Sequence, residues 1–446
     1  MTKAEIITAA FRVWGETLYK NTSLSQLAQY LGVTKAALYR HFRNKQALLD
    51  GMSESFLDEY YAHILPAYHQ AAAKADRNEQ LLALTESIIA FYCANPNAFI
   101  FSLFQVFQNN TTDQLFSQLK KRGMDMEILV SRFPGDAHPS LLQLSFATLS
   151  FWLAFFHRFD ARNTLQAGDE DIQRVVTSIQ RRIAHGLGIA PTPNKGMDFA
   201  RLDAAVFAGP AIPPGDAGLL KAVAETVAEA GPWKASMKRI AARTGLSKSS
   251  LYAHFSSKRE MISQFFVTEI ERIASYIEMI MQKSPDPQEQ LYLFILAIGN
   301  YLRGRPEILK ALNWLRIHRV DFDIPLPTSI FLQFNDIQKR LNIAFADEIE
   351  ANRNVQWILF LVIHTMMQQC SADAARRDAY SFRALYRYIA FGVADFPMDM
   401  PPKDAFMGAA FFADQSAPTV EDQSKSARGE APTAEVGLMQ STALSR

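Results

Sequence analysis

The sequence is poor in cysteine. Its 446 residues include two, Cys93 and Cys370, and each lies inside an apolar run with helical spacing. Two cysteines so placed exclude a disulfide framework, because such frameworks need several paired cysteines in a short chain. We therefore expect two buried thiols in a protein of the reducing cytoplasm.

Long apolar runs are missing as well. The N-terminal stretch MTKAEIITAA has no signal-peptide core, and the most apolar long run, residues 141–156, is interrupted by Gln, Ser and Thr. A segment of that length and composition is too short and too polar to span a bilayer. We expect a cytoplasmic protein that does not enter a membrane.

Motifs of catalysis are also lacking. The chain has no Walker A sequence, no GxGxxG, no HExxH, no GxSxG and no cysteine spacing typical of a metal site, and its nine histidines are scattered. Each of these motifs places nucleophiles, phosphate-binding amides or metal ligands at a fixed spacing. The sequence therefore predicts a protein that is not an enzyme and binds no cofactor or metal.

Net charge is nearly absent, since 46 Lys and Arg face 45 Asp and Glu. Two stretches depart from this balance. Residues 1–50 hold seven basic and three acidic side chains, and residues 216–260 hold eight and four, so each stretch carries a net charge of +4. Positive charge concentrated in this way indicates binding to phosphate groups.

The two basic stretches are copies of each other. A shift of 213 positions aligns residues 5–52 with 218–265 without a gap and gives eleven identities in forty-eight. A second similarity sets Pro96 on Pro306, and a weaker third one pairs residues 197–207 with 398–408. The simplest explanation is a duplicated unit.

Outside these copies, apolar residues recur with helical period, and no run alternates like a β-strand. This pattern predicts an all-α fold. Residues 189–216 are rich in Pro and Gly, which indicates a boundary or tether. From about residue 412 the chain lacks periodic apolar residues, and we expect disorder there.

Capping residues divide each copy into three short helices. In the first copy these residues are Thr2 with Glu5, Ser23 with Gln26, Gly32 and Thr34. In the second copy, Asp216 and Gly231 are placed to begin and end the first helix. Two short helices joined by a glycine-containing turn indicate a helix-turn-helix whose last helix takes the recognition position.

The runs SLSQLAQYLGVTKAALYRHFRNKQALL and SMKRIAARTGLSKSSLYAHFSSKREMI resemble the DNA-binding head of the TetR family of transcriptional regulators. The resemblance rests on a pattern that both runs share. It begins with Leu or Ile followed by Ala, and a glycine comes after three more residues. The sequence Leu-Tyr-x-His-Phe follows, and a lysine stands three positions after its phenylalanine. It covers about fifty residues in each copy. It implies a three-helix head followed by about six helices that bind a small effector and dimerise through the last two.

Two such units in tandem are the predicted architecture. The expected parts are a first head (1–45), a first core domain (46–190), a linker (191–215), a second head (216–258), a second core domain (259–398) and a C-terminal tail (399–446). We expect dimerisation helices at 139–159, 168–187, 349–370 and 378–395. They would join the units either as a pseudo-dimer within one chain or as a homodimer of two chains.

The resemblance also implies residue roles in DNA binding. Residues expected to contact phosphate are Ser23, Tyr39 and Lys45, with Ser236, Tyr252 and Lys258 in the second head. His41 and His254 match the same motif and could contact DNA or be structural. The alternative for each tyrosine is packing against its neighbouring helix, and the alternative for each lysine is a solvated place on the surface.

Sequence readout is expected at the positions that changed between the copies. These are Ser25, Lys35, Ala36, Ala37 and Arg40, with Lys238, Lys248, Ser249, Ser250 and Ala253 in the second head. Arg and Lys donate to guanine in ways that Ser and Ala cannot. We therefore expect a double-stranded DNA operator that is asymmetric.

Aromatic and histidine side chains in the cores are candidate effector ligands. They are Phe91, Phe104 and His157 in the first core, and Tyr301, Trp314 and His364 in the second. Ordinary core packing is the alternative for each. The resemblance implies a repressor released by an unidentified small molecule. Two alternatives stay open: a DNA-binding protein with no effector, and a fusion with only one active head.

Overall fold

The computed structural model describes residues 2–16, 23–106, 112–125, 138–160, 169–189, 196–208, 218–317, 328–343, 348–368 and 374–394. Every regular element in these ranges is a helix, which confirms the all-α prediction. No helix among them is both long and apolar enough to cross a bilayer. Cys370, Asp216 and the tail 399–446 lie outside the described residues.

The first unit contains nine α-helices within the described ranges. They are α1 (Lys3–Glu16), α2 (Leu24–Tyr30), α3 (Lys35–His41), α4 (Lys45–Ala73), α5 (Arg77–Ala94), α6 (Pro96–Phe101), α7 (Thr112–Lys121), α8 (His138–Asp160) and α9 (Asp169–His185). A π-helical turn, Ser102–Val106, follows α6.

The described part of the chain continues with ten more helices. They are α10 (Phe199–Phe207), α11 (Leu219–Lys234), α12 (Met237–Thr244), α13 (Lys248–His254), α14 (Lys258–Met281), α15 (Pro287–Arg303), α16 (Pro306–Ile317), α17 (Thr328–Arg340), α18 (Glu348–Gln368) and α19 (Ala374–Phe391). Pro96 and Pro306 each begin a helix after a break.

Each head is a small three-helix core. Ile6, Leu27 and Leu38, one from each of α1 to α3, are fully buried, and Ile240 and Leu251 are buried at the same places in the second head. Glu5 and Thr2 form the predicted capping box, with Thr2 N–H donating to Glu5 Oε2 at 2.7 Å. These contacts arise from helical spacing of apolar residues behind a capped first turn.

The predicted linker contains a helix that is docked on the second core. In α10, Leu202 and Val206 are buried, and the helix packs on α15. Asp198 caps it by accepting a hydrogen bond from Arg201 N–H at 2.9 Å. The expectation of a tether over 189–216 is therefore incomplete, because an amphipathic repeat within the Pro- and Gly-rich composition buries a helix.

The two units pack together through α8 and α9 of the first and α18 and α19 of the second. Two side chains of the second unit donate to one hydroxyl of the first: Trp357 Nε1 and Tyr388 OH lie 3.1 and 2.9 Å from Thr148 Oγ1. The rings of Phe151 and Phe360 meet with centroids 5.4 Å apart. These four helices match the positions where dimerisation helices were expected.

The ends of α9 and α19 also exchange backbone hydrogen bonds. Leu187 N–H donates to Ile389 O at 2.7 Å, and Val393 N–H donates to Ile183 O at 2.9 Å. A shift of 206 positions sets Leu187 on Val393 and Ile183 on Ile389, so each bond is the counterpart of the other, as in a two-fold interface. Gly186 and Gly392 both have positive φ, and a Cβ on either glycine would overlap the backbone of the opposite chain segment. We therefore call this contact the glycine clasp.

The glycine clasp predicts a stability difference between two neighbouring glycines. Gly186→Ala should lower the free energy of unfolding by about 3 kcal/mol or more, since it adds overlap to the left-handed backbone strain. Gly188 also has positive φ, but nothing lies near its Cβ position. Gly188→Ala should therefore cost only about 1–2 kcal/mol. Urea unfolding followed by circular dichroism measures both, and equal losses would contradict a tight clasp.

Candidate nucleic-acid interface

The recognition-position helix α3 presents one polar face to solvent. Thr34 caps it, accepting Ala37 N–H at 3.2 Å, and Leu38 anchors the opposite face in the core. The side chains left outside are Lys35, Ala36, Tyr39, Arg40 and His41, with Ala37 half-buried. Tyr39 is 44% exposed, which is high for a tyrosine in a small domain and leaves its ring and hydroxyl available to a partner.

Helix starts and side chains of the first head border an open hollow of about 350 Å³ beside α3. Its lining residues are Ser23, Leu24, Ser25, Lys35, Tyr39, Asn44 and Lys45. The starts of α2 and α4 meet here, and the positive end of a helix dipole favours an anion. Six of the seven residues carry a polar side chain, so the hollow suits a phosphate group.

Ser23 and Lys45 hold defined places at this hollow. Ser23 forms the predicted capping box, with Ser23 N–H donating to Gln26 Oε1 at 2.7 Å and its hydroxyl accepting Gln26 N–H at 3.2 Å. Burial lowers the pKa of the Lys45 ammonium, since its charged form is partly desolvated. A phosphate oxygen beside Lys45 would favour the charged form again.

The second head repeats the scaffold with different polar contacts. Ser236 caps α12 by accepting Arg239 N–H at 3.3 Å, and Ser247 caps α13 by accepting Ser250 N–H at 3.0 Å. The hydroxyls of Ser249 and Ser250 lie 2.7 and 2.8 Å from Ser247 Oγ, so they are turned toward the cap.

The remaining predicted positions of α13 fall into two groups. Tyr252 is 48% exposed, matching Tyr39, and Ala253 is exposed beside it. The side chains of Lys248 and His254 lie outside the described residues. Lys238 is exposed on α12, as Ser25 is on α2.

A carboxylate accompanies the predicted phosphate-contacting lysine of the second head. Burial lowers the pKa of Lys258, as it does at Lys45. Two positions later, Glu260 accepts Ser256 N–H at 2.8 Å, and hydrogen bonds from Ser256 lower the pKa of the Glu260 carboxyl. Ala47 occupies the corresponding position of the first head. Arg259 takes the place of Gln46, so the first turns of α4 and α14 differ in their side chains but carry the same net charge.

An ion-paired arginine adds to this difference between the heads. Arg243 on α12 pairs with Glu229 and with Glu225, the latter at 3.1 Å, and so ties α12 to α11. Tyr30 stands at its place in the first head. The equal net charges of the two stretches thus conceal a second head whose positive charge is partly neutralised internally.

The candidate effector residues are not brought to one site. Phe91 packs against Tyr60 and Phe56, with ring centroids 5.4 and 6.3 Å away. His364 lies in α18, its ring parallel to that of Phe360. Trp314 packs where α16 meets Gly231, the residue at which the helical geometry of α11 breaks, close to the predicted end. The side chains of Phe104 and His157 lie outside the described residues.

Tyr301 belongs to a buried charged network. Its hydroxyl donates to Glu269 Oε2 at 3.0 Å, and Arg305 Nη1 donates to the same oxygen at 3.1 Å. No sequence motif predicted this network. The glycine clasp was also missed, although comparing IAHGL at 183–187 with IAFGV at 389–393 at a shift of 206 would have shown it.

Comparison with known proteins identifies the repeated element. Residues 6–52 and 219–265 both match the family described as bacterial regulatory proteins, tetR family. The chain is 42% identical over 69 residues to the tetracycline repressor protein class A from transposon 1721 of Escherichia coli, covering 15% of this chain and 32% of that protein. It is 43% identical over 58 residues to the HTH-type transcriptional regulator TtgR of Pseudomonas putida, covering 12% and 28%.

The two family matches cover the heads and the first turns of α4 and α14. The chain spans about a third of the length of the curated relatives that it matches first. Among solved structures, the fatty acid degradation regulator FadR from Bacillus halodurans aligns with a TM-score of 0.31 and 17% identity, over 39% of this chain and 92% of that one.

Proposed function

Because the chain carries two helix-turn-helix domains of the TetR family in tandem, we propose that it is a sequence-specific DNA-binding transcriptional regulator. The observation that carries the proposal is the pair of exposed recognition-position helices, α3 and α13, each beside a partly buried lysine at the start of the next helix. Binding at an operator would block transcription by occlusion, which makes the protein a repressor.

We propose that one chain supplies both heads of a DNA-binding pair. Regulators of this kind hold two recognition helices about one helical turn of DNA apart, roughly 34–36 Å, by pairing two subunits. In this chain α8 and α9 pack on α18 and α19, so the pairing surface of each unit is already occupied by the other. We therefore favour a pseudo-dimer formed within one chain over a homodimer of two chains with four heads.

The operator is proposed to have two unlike halves. Ser25 and Arg40 in the first head correspond to Lys238 and Ala253 in the second, and all four are exposed. Arg and Lys donate to guanine O6 and N7, and one such contact discriminates by about 1–3 kcal/mol. Two heads that differ at these positions prefer different bases.

Phosphate contacts predict a specific salt dependence. Lys45→Gln and Lys258→Gln should each reduce the slope of log affinity against log salt by about one, because each removes one released counterion. Lys310→Gln, which removes an exposed charge from α16 in the second core, should leave the slope unchanged. Fluorescence anisotropy with operator DNA at several salt concentrations gives the slopes. A decrease for Lys45→Gln alone would favour a regulator with one active head.

Base readout by the first head predicts an asymmetric effect of Arg40→Ala. Binding-site selection with the full chain should return an operator with two unlike halves. The variant should lose roughly tenfold preference at one base pair of one half only. Arg43→Ala removes the same charge from the turn after α3 and should weaken all sequences alike. A selected palindrome for the wild-type chain would refute the asymmetry.

We place a small-molecule effector in the first core. Phe56 and Phe91 correspond to Glu269 and Tyr301, so the same region is a ring cluster in one core and a charged network in the other. When an apolar ligand enters the ring cluster, the rings replace their contacts with each other by apolar contacts with the ligand. Opening the Glu269–Arg305 pair would instead leave buried charges unpaired, which is strongly unfavourable.

Effector control predicts that ligand and operator weaken each other by the same factor, as linkage requires. A thermal-shift screen of hydrophobic small molecules, run with and without operator DNA, tests this. Phe91→Leu should reduce the ligand-induced shift, while Tyr301→Phe should keep it. Loss of the response in Tyr301→Phe alone would move the site to the second core. A screen without any coupled ligand would favour a DNA-binding protein that has no effector.

A further inference from the structure

The two halves of the chain meet through a surface that is not self-complementary. We infer that each half recognises the other as an unlike partner, so that the face formed by α8, α9 and α10 fits the second half and does not fit a second copy of itself. Two buried polar contacts carry this inference, and they lie in different parts of the interface.

The first contact is the double hydrogen bond to Thr148. Trp357 and Tyr388 both donate to its hydroxyl, and all three residues are buried. The connection from α8 to α9 is three residues longer than the one from α18 to α19, so the shift of 206 at the clasp becomes 209 in α8 and places Thr148 itself where the second half has Trp357. The shift of 206 positions, which relates α9 to α19, places Arg182 where the second half has Tyr388.

A pair of first halves would therefore lose these bonds. Thr148 would face a second Thr148, whose short side chain fills neither the space nor the donor position of the Trp357 indole. Arg182 is already engaged, since its guanidinium lies 4.8 Å from the centre of the Trp152 ring. A buried hydroxyl left without its partners costs about 1–3 kcal/mol.

The second contact is made by the docked linker helix. Asp203 on α10 is buried, and it accepts hydrogen bonds from Tyr292 OH at 2.6 Å and from Arg383 Nε at 3.1 Å. The ring of Phe199, one turn earlier, meets the ring of Tyr292 edge-on with centroids 4.9 Å apart. All of the partners of α10 named here belong to the second half.

The first half has no equivalent receptor for Asp203. Leu82 corresponds to Tyr292 at the shift of 210 positions that aligns Pro96 with Pro306, and Thr177 corresponds to Arg383 at the shift of 206. The hydroxyl of Thr177 donates to Gln173 O within its own helix. Docking α10 on another first half would bury its carboxylate beside leucine and threonine without a cation, which is strongly unfavourable.

The glycine clasp supplies no such preference. The bond from Leu187 to Ile389 and the bond from Val393 to Ile183 are reciprocal, and both sides present a glycine flanked by similar apolar residues. Backbone groups of this kind would serve a like pair as well as an unlike one. Selectivity for the unlike half therefore comes from Thr148 and Asp203, and the clasp adds affinity in either pairing.

Cutting the folded chain tests the inference. A protease site is inserted between Ala208 and Gly218, the chain is cleaved after folding, and unlabelled and nitrogen-15-labelled samples are mixed to let halves exchange. Native mass spectrometry should show complexes of one first half with one second half, in all label combinations. Dimers of two first halves or two second halves at comparable abundance would overturn the inference, and so would halves that do not remain paired.

Matched variants locate the selectivity. Asp203→Asn should speed exchange at least tenfold, because Arg383 loses its counter-charge. Asp198→Asn removes the same charge from the same helix and keeps the cap, since Asn caps as well as Asp. It should exchange like the wild type.

Thr148→Val should also speed exchange, whereas Thr177→Val, an exposed change on α9, should not. Equal rates for the variants and their controls would refute the role of these two contacts. The readout is pairing and not DNA binding, so a negative result would leave the proposed function untouched.

Discussion

The packing of α8 and α9 on α18 and α19 is the constraint on which the rest of the molecule depends. Each unit has an apolar helix pair that is buried against the helix pair of the other unit. Backbone hydrogen bonds at the glycine clasp join the ends of these helices. Because a Cβ at Gly186 or Gly392 has no room, the distance between the two chain segments there is fixed. The cores, and the heads attached to them through α4 and α14, take their places from this contact.

The two copies share the types of residue that cap the helices and fill the core of the heads, and they differ at positions that carry charge. Thr34 and Ser247 cap the recognition-position helices in the same way, and Leu38 and Leu251 bury the same face. By contrast, Phe56 has become Glu269 in the core, with an arginine to match it. In a dimer of identical subunits every change appears twice, whereas a fused chain can change one side of its interface or one head alone.

Much of the fold could be read from the sequence, because its signals are local. Ser23 with Gln26 acts through neighbouring backbone groups, and the structure shows those contacts where they were expected. The docked α10 and the pairs Arg243–Glu225 and Asp203–Arg383 could not be read in this way. Their partners are 18 and 180 residues apart in the chain, and only the tertiary arrangement brings them together. For the candidate interface, the same limit left the internal neutralisation of the second head unseen.

The position of α10 has a consequence for how the chain is made. Ribosomes extend proteins from the N-terminus at about 5–20 residues per second, and N-terminal domains fold first. Asp203 emerges 89 residues before Tyr292 and 180 residues before Arg383, so its set of partners is complete only after roughly 10–40 s. The pairing of Asp203 with Arg383 is therefore a late folding event, and it occurs only on a chain whose translation has passed Arg383.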